Sequence, residues 1–130
     1  MKNLDLLINE LRKLPNETQW VEFKHNNYDP EMIGRDISAL ANSATLYEKS
    51  CAYMLWGIHD QTHDIVGTDY NLQTLKKGNQ EIENWLRYLL SKNADFEFHS
   101  VDMNGKTVGV LIIYRAANQT VTFEKADYIR

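Results

Sequence analysis

Glu17, Glu22 and Asp60 are the residues of this chain best suited to metal-ion chemistry. Mg²⁺ and Mn²⁺ take hard oxygen ligands, and a bound ion polarises a phosphate and activates water. Lys24 follows Glu22 by two positions, where an ammonium would stabilise charge developing on a phosphate. Trp20 stands between the two glutamates and offers a flat face on which a base can stack. Lys24, Arg35, Lys76, Lys77 and Arg87 would serve a phosphate backbone if folding gathered them; scattered solvated cations are the plainer reading. His59 and His63, with Asp60 and Asp64, have no thiol nearby and no helical spacing, so a polar turn is preferred to a zinc site. Trp56 lies in an apolar run and reads as core. There is no Gly-x-x-x-x-Gly-Lys loop for a nucleotide, no Gly-x-Ser-x-Gly elbow, and no cysteine set beside a base.

The stretch Glu17–Lys24 must position most of these groups. Val21 and Phe23 fall on one face of a strand there, and Trp20, Glu22 and Lys24 on the other. Glu17 and Glu22 are five apart, so a regular strand would point them to opposite faces. Their convergence requires Glu17 in the turn before the strand, or a bulge between them. The plainer alternative pairs Glu22 with a surface cation and leaves Glu17 and Asp60 as turn or cap residues. Asp60 follows the apolar run Cys51–Ile58, which reads as a central strand covered on both faces. Ligands collect at such strand ends. Gly57 inside the run marks a bulge or a close backbone approach.

Three amphipathic helices frame these strands. Leu4, Leu7, Ile8 and Leu11 predict one over about residues 3–13, ended by Pro15 and Asn16. Asp29 as N-cap and Pro30 at the first helical position open the second, with Ile33, Ile37, Leu40, Ala41 and Ala44 on its buried face and Arg35, Asp36 and Ser43 on others. Ile82, Trp85, Leu86 and Leu89 predict the third, after Gly78-Asn79. A short strand is expected at Ile65–Val66. Phe96–Val101 alternates as a strand, Asn104-Gly105 is a hairpin turn, and Val108–Tyr114 returns. Val121–Glu124 and Tyr128–Arg130 suggest a last strand pair. The expected order, α-β-α-β-β-α-β-β-β, is that of an α+β fold, a single domain over residues 1–130 with a mixed or antiparallel sheet.

Composition narrows the function classes. At 130 residues, 43% hydrophobic and 25% charged, the chain suits a folded domain with a real core. A net charge of −4 argues against tight nonspecific nucleic-acid binding, so any such binding must use a local patch. The single cysteine, Cys51, permits no internal disulfide and reads as a buried thiol, which suits a cytoplasmic protein. No stretch approaches a membrane span or a signal peptide.

Four ordered blocks carry a resemblance: Glu17-Thr-Gln-Trp-Val-Glu-Phe-Lys24, Ile33-Gly-Arg-Asp-Ile-Ser-Ala-Leu-Ala-Asn-Ser43, Tyr53-Met-Leu-Trp-Gly-Ile-His-Asp60 and Ile65-Val-Gly-Thr68. From about residue 14 to Arg130 the chain resembles the Schlafen AlbA-like domain, a family described as DNA-binding. The resemblance implies a nucleic-acid partner, DNA or RNA, and a place at the start of a longer transcriptional regulator with a downstream ATP-binding segment and winged helix. Relatives that cut RNA with a metal imply Glu17, Glu22 and Asp60 as candidate catalytic and metal-holding residues, with Mg²⁺ or Mn²⁺. Where the family often has a small Gly-Gly turn, this chain has Tyr47-Glu-Lys-Ser50. The first expectation is a nucleic-acid-binding module using Lys24, Trp20 and Arg35. Metal-dependent RNA cleavage is the second, and a protein-interaction or homodimerisation domain the third.

Overall fold

The computed structural model describes residues 3–14, 18–24, 29–116 and 119–130. Three helices, α1 (Leu4–Arg12), α2 (Pro30–Leu46) and α3 (Ile82–Leu89), accompany a four-stranded sheet. Its strands are β1 (Val21–Lys24), β2 (Cys51–Trp56), β5 (Asp95–Met103) and β6 (Lys106–Tyr114), in the order β1-β2-β6-β5. Short pairs β3 (Lys76–Lys77) with β4 (Gln80–Glu81), and β7 (Thr122–Phe123) with β8 (Ala126–Asp127), complete the set. β1 runs parallel to β2, with Glu22 beside Met54 and Lys24 beside Trp56; the other neighbours in the sheet are antiparallel. The sheet is mixed and the class is α+β.

Period-two alternation divides the sheet into two apolar faces. Ala52, Met54, Trp56, Phe96, Phe98, Leu111 and Ile113 face α2 and α3. Val21, Phe23, Leu55, Val101, Val110 and Ile112 face α1. Trp56 is wholly buried, stacked on Tyr70 at 4.4 Å between ring centroids. Gly57 has φ +91°, and a side chain there would press on the Thr107 carbonyl and the Gly67 backbone, so the close approach read from the sequence is real.

Asp29 caps α2 by accepting from the Glu31 N–H, and Pro30 takes the first turn, as the sequence predicts. α2 is buried more widely than its amphipathic stripe suggested: Ser38, Asn42 and Ser43 are covered too. The covering segment is 119–130. Asn42 Nδ2 donates to Val121 O at 3.0 Å and Tyr128 O at 2.9 Å, and its Oδ1 accepts from Val121 N at 2.7 Å. Ser38 Oγ donates to Val121 O at 2.6 Å and accepts from Tyr128 N at 3.2 Å. Gly34 lies against the Phe123 ring, which leaves no room for a side chain.

Gly78-Asn79 precedes α3 as expected, and forms the turn of the β3–β4 hairpin. Two local expectations change. The second strand of the last pair is Ala126–Asp127 rather than Tyr128–Arg130, because Glu124 and Lys125 both take positive φ and turn the chain tightly. Ile65 forms a single bridge to Ile58 instead of a strand.

Candidate nucleic-acid interface

At the end of the sheet where β2 begins, three side chains that suit nucleic acid come together. α2 ends in a Schellman turn: Lys49 N donates to Ala44 O at 2.8 Å and Glu48 N to Thr45 O at 3.2 Å. Glu48 takes the left-handed position, φ 56°, that glycine usually fills. The turn delivers Tyr47 and Lys49 to one side of the chain. Trp20 arrives from the other side, held by its carbonyl, which accepts from Tyr53 N at 2.8 Å. The Trp20 and Tyr47 rings lie 6.0 Å apart, and the Lys49 ammonium sits 4.4 Å from the centre of the Trp20 ring. Tyr47 is exposed and Trp20 half-buried. Arg115, also exposed, bonds through its N–H to Ser50 O beside this turn.

The charged residues of β1 are engaged differently. Glu22 accepts from Arg130 Nη1 at 2.6 Å, and Arg130 Nη2 also donates to Thr18 O at 3.0 Å. Lys24 pairs with Asp36 of α2 at 3.2 Å, and its side chain is only 11% exposed. Burial raises the Asp36 pKa above its ordinary value, against the opposing pull of Lys24. Arg35 is exposed on α2, twelve residues before Tyr47, or about 18 Å along the helix axis.

Asp60 lies past the far end of β2, about 20 Å of strand away from the Trp20 end. Its side chain is 65% exposed, 3.7 Å from His59 Nδ1. That nitrogen accepts the Gln61 and Thr62 N–H groups, so it carries no proton and the contact is not an ion pair. His63 is buried, against the polar-turn reading: its ring lies 4.4 Å from Phe23 and Nδ1 donates to Arg12 O at 3.0 Å. His63 thus anchors this loop on the α1 face, whereas Glu22 projects from the α2 face. Glu17 lies outside the described residues. Among the described residues no three His, Cys, Asp or Glu side chains form a group able to hold a metal ion.

Among the described residues the remaining cations form no single patch. Lys77 leans over Trp85 at 5.6 Å, and Arg87 pairs with Glu83 at 3.5 Å while covering the Phe96 ring. Tyr47 and Lys49 were missed as site residues. The available signal was the replacement of the small turn by Tyr47-Glu-Lys-Ser50.

The sequence profile of the family described as Schlafen, AlbA_2 matches residues 17–130. The chain belongs to this family. The match starts before Trp20 and runs through Arg130, so the Schlafen AlbA_2 region includes both the aromatic cluster and the Glu22–Arg130 pair. No curated protein matches the chain in sequence. Among solved structures, the DIP2311 protein from Corynebacterium diphtheriae superposes with a TM-score of 0.49 at 18% identity, over 82% of this chain and 23% of that one. This Schlafen AlbA_2 chain therefore spans about a quarter of that protein's length. None of the described helices is long and apolar enough to cross a membrane.

Proposed function

We propose that this domain binds nucleic acid, DNA in the first instance, as a module of a longer transcriptional regulator. The observation that supports the reading is the Trp20–Tyr47–Lys49 cluster, an aromatic platform under a cation at an exposed sheet end. A base stacking on Trp20 displaces the Lys49 ammonium toward the backbone phosphate, so one movement makes both contacts. Arg115, exposed beside the turn, adds a cation near this platform, whereas Arg35 stands about 18 Å away along α2. Lys24, paired with Asp36, contributes to the fold of β1 instead. The acidic net charge is compatible with this, because the binding is local and expected to be salt-sensitive.

Metal-dependent cleavage finds no supporting group among the described residues, since Glu22 is bound by Arg130 and Asp60 stands on a separate loop. The test is fluorescence anisotropy with labelled single-stranded DNA, single-stranded RNA and the matching duplexes, as a function of salt. Wild type should bind at low salt, and Trp20→Ala and Lys49→Ala should bind more weakly. No binding by the wild type at low salt, or equal binding by all three proteins, would end the proposal.

A further inference from the structure

The sheet end that carries Trp20 also receives the first or last residues of the other strands. Cys51, Tyr114 and Asp95 stand side by side in register on β2, β6 and β5. Just outside them come Ser50, Arg115 and Ala94, and the Arg115 N–H donates to Ser50 O at 3.2 Å. Lys49 thus stands at the entry to β2 and Arg115 at the exit from β6. Lys92 lies in the turn that enters β5, closed by the Ala94 N–H on Ser91 O at 3.0 Å. The three cations form a line across the strands rather than a patch. All three are exposed, and the side chains of Arg115 and Lys92 have no partner among the described residues.

The line ends at a cavity of about 220 Å³ between the end of α3 and the start of β5, lined by Arg87, Leu90, Ser91, Lys92, Ala94 and Phe96. Arg87 stands apart from Lys77 but shares this cavity with Lys92. Its Nη2 donates to Phe96 O at 2.8 Å and its Nε faces Glu83; its Nη1 has no partner among the described residues. Two cations beside apolar walls suit a phosphate carried on a sugar. Ala94 and Phe96 belong to the α2–α3 face, whereas Asp95 lies with Tyr114 on the α1 face, and Glu97 shares its parity. These carboxylates repel a phosphate chain from the α1 face and leave the cavity side to it.

Resting on the nucleic-acid reading of the Trp20 platform, we propose that the partner is a single strand that crosses the sheet end to a phosphate subsite at Arg87 and Lys92. From Trp20 it passes Lys49 and Arg115. A base lies flat on Trp20 only where it is unpaired, which selects a single strand over a duplex. Three strand spacings separate β1 from β5, about 14 Å. A stacked strand advances about 3.4 Å per nucleotide, so about four nucleotides join the platform to the subsite.

NMR titration at low salt tests this with a thymidine dinucleotide, a thymidine octanucleotide and a longer mixed-sequence duplex. The dinucleotide should shift the Trp20 indole signal alone. The octanucleotide should also shift the amides of Ser91, Lys92 and Ala94, and the duplex should bind more weakly. Lys92→Ala, an exposed substitution that spares the fold, should weaken octanucleotide binding by about threefold or more and lower its log–log salt slope by about 0.7. It should leave the dinucleotide unaffected, whereas Trp20→Ala should weaken both. If the dinucleotide binds at Trp20 but Lys92→Ala does not weaken the octanucleotide, the subsite is overturned and the platform stands. Duplex binding as tight as the octanucleotide overturns the single-strand assignment. If the wild type binds neither oligonucleotide, the platform fails and this inference fails with it.

Discussion

Two regions on the α2 side of the edge strand β1 are neighbours in sequence and opposite in character. In one, every prominent polar group is engaged: Asn42 and Ser38 hold Val121 and Tyr128, Arg130 holds Glu22, and Lys24 holds Asp36. In the other, Trp20, Tyr47 and Lys49 touch one another, and Tyr47 and Lys49 stay exposed to solvent. The difference teaches that charge density along a chain does not mark a binding site. Glu22 and Lys24 are the conspicuous charges of the strand, and both serve the fold. The groups available to a partner come from a helix end whose side chains are unremarkable in isolation.

Substitutions on each side can sharpen or break that contrast. The largest effect is expected from Asn42→Ala, which removes three hydrogen bonds to the 119–130 segment and leaves the buried Val121 N–H without its acceptor. It should lower stability by about 2–4 kcal/mol in urea denaturation. Next is Arg130→Ala, which leaves Glu22, with a side chain 22% exposed, lacking its counter-ion. A loss of about 1–3 kcal/mol is expected, partly recovered by adding Glu22→Gln, because the neutral amide tolerates the site better. If Arg130→Ala costs nothing, the closed region is not closed.

On the open side, Trp20→Ala should weaken single-strand binding by about 1–3 kcal/mol, read from anisotropy titrations. Lys49→Ala should reduce the log–log salt slope by about one while changing stability by less than about 0.5 kcal/mol. Glu48→Gly relieves a left-handed residue at φ 56° and should raise stability by about 1 kcal/mol. The smallest effect concerns Asp36. Its folded pKa lies above the unfolded 3.8, so the folded state holds its proton more tightly. Its contribution to stability is full below pH 3.8 and declines as pH rises through the raised folded value. Asp36→Asn should remove that decline, seen as urea midpoints falling less with rising pH than in the wild type.

The strand Val21–Lys24 shows how far the candidate site could be read in advance. The alternation of Val21 and Phe23 against Glu22 and Lys24 is there as expected, with β1 beside β2. The partners of the charged face were not legible, because Arg130 lies 108 positions from Glu22 and nothing local links them. Likewise His59 and His63 read alike in sequence. One is a backbone acceptor in a turn and the other a buried ring on Phe23, a difference made by where α1 crosses the sheet.

By itself the sequence determined the local elements of this protein: the capped helix at Asp29-Pro30, the Asn104-Gly105 hairpin and the doubly covered strand through Trp56. Each follows from short-range rules of dihedral preference and apolar period, which act within a few residues. Only the tertiary structure decided which charges cancel and which remain open. That outcome depends on contacts between segments scores of residues apart, and a hydrogen bond or ion pair leaves no periodic trace in the chain that forms it.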